Sequence, residues 1–207
     1  GNLTASISNV VNVSCNGLCD ATATASGLGG TPPYIYAWDD PSIQLTPQAI
    51  DLCAGVYNVG VADANGCVAT EQITITEPTV LSVTTVMDSE SNCGLPDGSA
   101  TATPVGGTVA ATYQYSWNST PNQTTATATG LTPGTYTVTV TDDNNCTATA
   151  DIEITQTAGF TASISSFTDA SCFAICDGTA TVAITGGSTA PLTYSWNTTP
   201  AQTTVTA

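Results

Sequence analysis

Eight cysteines in a chain with no histidine, lysine or arginine decide which covalent chemistry is open to it. Cys15 and Cys19, and again Cys172 and Cys176, are spaced C-x3-C, while Cys93 has no near neighbour. Zinc sites built from four cysteines normally use paired C-x2-C knuckles, so this spacing fits disulfides and an oxidising compartment. Without histidine no Ser-His-Asp or Cys-His arrangement can exist. Without lysine there is neither a Schiff base nor a Lys–Asn isopeptide crosslink, so covalent stiffening must come from disulfides. No Gly-rich loop precedes a helix to cradle phosphate. Composition leaves a glycosidase-like pair of carboxylates open, but the acids fall mainly in turns and at strand ends, and no pocket-forming insertion is present. A protein that is not an enzyme is expected.

The 16 acidic residues are unopposed, giving a formal charge of −16. Nucleic-acid binding needs Lys or Arg to displace counterions from phosphates, and anionic membrane surfaces would repel the chain. No apolar run is long enough to span a bilayer, and no basic segment followed by an apolar one suggests a signal peptide. Hydrophobic residues make up 41% of the chain and charged ones only 8%. That composition belongs to a folded protein rather than an acidic tail.

The elements that carry these cysteines repeat. Trp38, Trp117 and Trp196 stand 79 residues apart, as do Tyr57 and Tyr136, Cys67 and Cys146, and Cys93 and Cys172. The period predicts units at 1–79, 80–158 and 159–207, the third incomplete. Each reads as short alternating strands such as "LTASISNV", "ATATAS", "YIYAW", "VYNVGVA" and "VATEQITIT", punctuated by Gly-Gly, Pro-Pro and Asn-Gly. Many short strands without helical periodicity predict an all-β chain of tandem immunoglobulin-like β-sandwiches arranged head to tail. "DANGC" places Asn65-Gly66 where a two-residue turn with positive φ could join the last two strands.

Trp38, Trp117 and Trp196 match the buried tryptophan of the immunoglobulin fold, and Tyr57 and Tyr136, after "LCAG" and "LTPG", match its tyrosine corner. Tyr34, Tyr36 and Trp38 share one strand face. They could form a stacking platform for sugars, but the third unit has Leu192 in place of the first tyrosine, and leucine serves a core better than a platform. Alternating threonines suit solvated strand faces; a water-ordering array would need a flatness that twisted sheets lack.

The second unit replaces Cys19 and Cys53 together, with Pro96 near the first position and Thr132 at the second, so Cys19 is expected to pair with Cys53. The cysteines kept by every unit are Cys15, Cys93 and Cys172 before the second strand, and Cys67 and Cys146 after the last turn. In this fold those places lie at opposite ends of a strand of about seven residues, roughly 20 Å. A disulfide spans only about 4.4–6.8 Å between Cα atoms. The expectation is therefore a staple between units, Cys15–Cys146, with Cys67 and Cys93 bonding repeats outside this stretch; Cys15–Cys67 with Cys93–Cys146 is the alternative.

Aspartates also recur, at Asp20, Asp97 and Asp177 and at Asp63 and Asp142. Calcium needs about six oxygen ligands with converging carboxylates; Asp39, Asp40, Asp142 and Asp143 are where it would be sought. The preferred reading is that these residues begin turns and accept backbone N–H groups, so no cofactor is expected.

A cysteine shortly before "D-x-T/S-A-T", then "GG-T/S…Y-x-W", "L-x-x-G-x-Y-x-V" and "D-x-N-x-C", resembles the SprB-type repeat of bacterial gliding and surface adhesins. The resemblance implies a long, secreted cell-surface protein of tandem repeats, exported by the type IX system and used for adhesion or propelled along the surface. Expected partners are neighbouring repeats of the same chain and surface polysaccharide or other cell-surface ligands, with filament self-assembly also open. The alternatives are a carbohydrate-binding surface module and a structural fibre with no adhesive ligand.

Overall fold

A computed structural model describes residues 1–207 apart from 111, 173–175 and 188–190. The stretch inside the Cys172/Cys176 spacing and the segment following the third Gly-Gly pair therefore lie outside the described residues. Fourteen strands and no helix are present among the rest. The first six are β1 (Thr4–Val11), β2 (Ala21–Leu28), β3 (Ile35–Trp38), β4 (Gln48–Leu52), β5 (Gly55–Ala62) and β6 (Val68–Ile75). The next six, β7 (Ser82–Ser89), β8 (Gly98–Val105), β9 (Gln114–Trp117), β10 (Thr127–Leu131), β11 (Gly134–Thr141) and β12 (Thr147–Ile154), repeat them. A hairpin of β13 (Phe160–Thr168) and β14 (Thr179–Gly186) follows.

The sheets run β1-β2-β4 and β3-β5-β6, then β7-β8-β10 and β9-β11-β12. This is the division of strands between the two sheets of an immunoglobulin-like sandwich. In the first repeat, alternation on β2 turns Ala21, Ala23 and Ala25 inward, where they join Trp38, Val59, Val61, Leu52 and Ile75 in one buried cluster. Small residues on β2 leave the width that a tryptophan on the facing sheet occupies. The indole N–H is satisfied by a carbonyl eight residues on, Trp38 by Thr46 and Trp117 by Thr125, as a buried Trp requires.

By internal packing the chain divides into two compact units. One comprises Gly1–Thr85, Ala102–Ala126 and Thr137–Asp151; the other comprises Val86–Thr101, Thr127–Tyr136 and Ile152–Ala207. The first holds the whole first sandwich. In the second, β13, β14 and the 192–196 segment present an apolar face lined by Phe160, Ile164, Val182, Ile184, Leu192 and Trp196.

Trp38, Trp117 and Tyr57 are buried, but Tyr136 and Trp196 are only half-buried, a correction to their expected place in the core. Tyr136 carries its hydroxyl out to the exposed Thr132, so the polar tip of the ring stays wet. Trp196 sits on that open face of β13 and β14, where no described strand of a second sheet covers it. Tyr34 and Tyr36 pack against the first core, so the triplet serves packing rather than a sugar platform.

The turn closing the last two strands also differs from expectation. Only Gly66 and, in the second repeat, Asn145 have positive φ (81° and 65°). Gly66 N–H donates to the Asp63 carbonyl, and Asp63 N–H donates to the Cys67 carbonyl. This is a three-residue loop with its left-handed residue third, and the Asp63 side chain explains the choice, as follows.

Candidate functional site

Two kinds of turn hold the cysteines that every repeat keeps, and an aspartate latches each. Between the first two strands, Ser14 N–H donates to Asp20 Oδ1 at 3.0 Å, and the Ser14 hydroxyl donates to the other carboxylate oxygen. The second repeat uses Asn92, whose N–H and Nδ2 donate to Asp97 at 2.8 and 2.7 Å. The third again uses serine, Ser171 to Asp177. The residue after each donor is a cysteine: Cys15, Cys93 or Cys172. The side-chain bonds from Ser14, Asn92 and Ser171, with their backbone bonds, hold the three carboxyls below the usual range, because each stabilises the ionised form.

The second latch sits at the other cysteine. Asp142, 1% exposed, accepts N–H bonds from Asn144 at 3.0 Å, Cys146 at 2.8 Å and Thr108 at 2.8 Å. Asp63 does the same with Asn65, Cys67 and Thr31 at 3.0, 2.9 and 2.9 Å. The bonds from Cys67 and then Thr31 lower the Asp63 pKa. One carboxylate thus closes its own turn and ties it to the Gly-Gly loop. The loop must come close: a Cβ on Gly30 would lie 2.6 Å from the Asp63 carboxylate, and one on Gly107 2.5 Å from that of Asp142. Both glycines also have left-handed φ, 66° and 68°, where side chains are strained.

These turns bring Cys15 and Cys146 together. They form a disulfide inside the first unit, Cα atoms 5.7 Å apart, closing 131 residues of chain. Asn144 Nδ2 donates to the Ser14 carbonyl at 2.8 Å and to Thr108 Oγ1 at 3.2 Å, and the Cys146 sulfur lies 3.4 Å from the same carbonyl. A disulfide sulfur carries no proton, so that last approach is a packing contact. The first repeat is thus joined to the second covalently and by a hydrogen bond. The alternative pairs, Cys15–Cys67 and Cys93–Cys146, are not formed. Cys67 and Cys93 are exposed free thiols.

Cys19 and Cys53 form the second disulfide, Cα atoms 3.9 Å apart. The Cys53 carbonyl accepts the Tyr57 hydroxyl at 3.1 Å, so bond and tyrosine corner brace one corner of the sandwich. Tyr136 makes the equivalent bond to Thr132 with no disulfide beside it.

The residues singled out for calcium are engaged locally. Asp39 accepts from Asn58 N and Nδ2, both at 2.7 Å. Asp40 accepts from Ser42 and Gln44; burial pushes its pKa up, and the bonds from Gln44 and Ser42 outweigh it to leave a lowered value. Asp143 accepts the Ala110 N–H at 2.5 Å. Among the described residues no group of three or more Cys, Asp or Glu is placed to hold a metal ion.

Fold and junction together define a class: tandem β-sandwich repeats cross-linked from one copy to the next. The family model of the SprB repeat matches residues 7–43, 89–122 and 164–200, just over half of the chain, and the chain belongs to that family of cell-surface adhesin repeats. Repeats of this kind are typically non-enzymatic structural or adhesive modules. Among solved structures, three N-terminal domains of the bacteriophage RB49 highly immunogenic outer capsid protein match at 18% identity and a TM-score of 0.46. The match covers 91% of this chain and 70% of that one. The amphioxus IgVJ-C2 molecule matches at 13% identity, with a TM-score of 0.30 and coverage of 73% and 96%. A structure solved for Dscam isoform specificity matches at 12% identity, with a TM-score of 0.33 and coverage of 73% and 45%. No curated protein matches the sequence.

Proposed function

We propose that this chain is a load-bearing, adhesive segment of a long extracellular protein on a bacterial surface, of the kind exported by the type IX system and used in gliding or attachment. The observation that carries the reading is the Cys15–Cys146 bond: a covalent link from one repeat to the next serves a fibre, and a chain of independent binding domains has no need of it. Two disulfides fit an oxidising exterior. The absence of lysine and arginine removes every trypsin site, and 16 unpaired negative charges keep neighbouring fibres apart at low salt. No cofactor enters this function.

The partners are first of all neighbouring repeats. Cys67 and Cys93 occupy the same latched turns as Cys146 and Cys15 and carry free thiols. In a longer run of repeats Cys93 bonds the turn cysteine of the next repeat, and Cys67 the loop cysteine of the previous one. Each bond forms as two thiols pass two protons and two electrons to a disulfide oxidant, which leaves as two thiols. The further partners are surface polysaccharide or other cell-surface ligands. Beads coated with the protein should resist detachment by flow from polysaccharide-coated glass, and antibodies against it should stop beads travelling along living cells that carry it. Coated beads that detach at the shear that removes bare ones, with bead transport untouched by the antibody, overturn the adhesive reading.

A further inference from the structure

We infer that the Cys15–Cys146 bond is a load bypass: under tension along the chain it takes residues 16–145 out of the force path. Connectivity alone requires this. A pull on the two ends enters through β1, reaches Cys15, crosses the disulfide to Cys146 and leaves along β12. Strands β2 to β11, and the connection between the first two repeats, hang as a closed loop beside that path. The backbone stretches that bear tension are then 1–15 and 146–207. The Cys19–Cys53 bond lies wholly inside the loop, so it protects the first sandwich against spontaneous opening and carries no axial load. The latches acquire a mechanical meaning as well. Asp20 and Asp142 brace the two turns through which force crosses between repeats, and the Asn144 bond to the Ser14 carbonyl spans the same crossing.

The bypass deepens the fibre reading and rests on it only for its biological use. Cys93 falls within the span from Cys15 to Cys146, so a bond from Cys93 to a following repeat closes a loop that overlaps the first. Overlapping loops leave a second covalent route wherever one bond breaks. Carried through a long run of repeats, about 26 residues from each pair would lie on the shortest route, against 158 on the backbone. At roughly 3.5 Å per extended residue, such a fibre gains little length however far its sandwiches unfold.

The test is single-molecule stretching of this 207-residue chain, held by peptide handles at its two ends. Fully unfolded and oxidised, its extension should fall short of the reduced chain's by the 131 residues the bond closes, about 460 Å at that reach per residue. In the double variant Cys15→Ser with Cys146→Ser the shortfall should shrink to the 34 residues between Cys19 and Cys53, about 120 Å. If the variant folds poorly, the unmutated chain decides alone: its oxidised form should fall short of its reduced form by about 460 Å where the 131-residue bond closes, not by the about 120 Å that Cys19–Cys53 alone would withhold. An oxidised chain that extends as far as the double variant overturns the bypass. A full shortfall in a protein whose coated beads fail to adhere upholds the bypass and overturns the adhesive reading instead.

Discussion

Replacing Asp142 by alanine should loosen the turn that presents Cys146 and, with it, the disulfide. The carboxylate is buried and accepts three backbone N–H groups, from Thr108, Asn144 and Cys146. A buried donor left without a partner costs about 1–3 kcal/mol. Taking the lower part of that range, because water can enter a turn, the three together give about 3–5 kcal/mol, a large share of the 5–15 kcal/mol typical of a domain. Asp142→Asn should cost less, about 1–2 kcal/mol. Its amide oxygen can stand at the Oδ1 position and keep Asn144 and Cys146, while its NH2 meets the Thr108 N–H donor and loses that bond. The readouts are urea unfolding followed by tryptophan fluorescence and thiol counting in a weakly oxidising glutathione buffer. The parent should show the four free thiols of Cys67, Cys93, Cys172 and Cys176, and the alanine variant about two more as Cys15–Cys146 opens. Loss of under about 0.5 kcal/mol with an unchanged thiol count would falsify the latch.

Three further outcomes are expected. Removing the Cys19–Cys53 bond by a double serine substitution should lower stability in urea by roughly 3–4 kcal/mol, the chain-entropy value for the 34-residue separation it closes; an unchanged midpoint would refute it. Gly107→Ala should destabilise by about 1–3 kcal/mol, since the added Cβ meets the Asp142 carboxylate at a backbone angle of +68° that costs strain; a calorimetric melting temperature equal to the parent's would contradict this. On acidification, Asp20 and Asp63 have folded-state pKa values below the ordinary 3.8, so the stability they contribute is present above about pH 4 and is lost as pH falls through the lowered values. Asp63→Asn should therefore flatten the acid limb of a stability–pH curve, and a curve superimposable on the parent's below pH 4 would refute it.

The repeat and its sandwiches were legible because packing writes itself into spacing. Tryptophans and tyrosines recur every 79 residues, and the Ala-x-Ala-x-Ala of β2 has the period of a strand with one buried face. The joint replacement of Cys19 and Cys53 in the second repeat pointed to one pair, and that bond is present. The aspartate latches were harder to read. An aspartate that starts a turn looks the same in sequence whether it closes that turn alone or also reaches a loop more than thirty residues away, as Asp63 reaches Thr31. The signal that could have found this was the Gly-Gly pair recurring with the aspartate, since only a missing Cβ admits the carboxylate. The Asn65-Gly66 dipeptide misled for a related reason. Local propensity favours a two-residue turn there, and a side chain that captures the N–H groups of both Asn65 and Cys67 favours the longer loop.

A cross-link that closes most of a chain also changes what a cut means. In an ordinary tandem array, one hydrolysed peptide bond between two domains severs everything beyond it. Here a single cut between Cys15 and Cys146 that spares the enclosed disulfide leaves both pieces attached to the same sulfur bridge. The ends of the molecule stay connected, and the damage appears only when the protein is reduced. Secreted proteases that attack exposed turns would have to cut outside the loop, or inside it with a reductant present, to shed the distal part. In the extracellular role proposed above, where repair is out of reach, the same bond that spans two repeats keeps a nicked molecule in one piece.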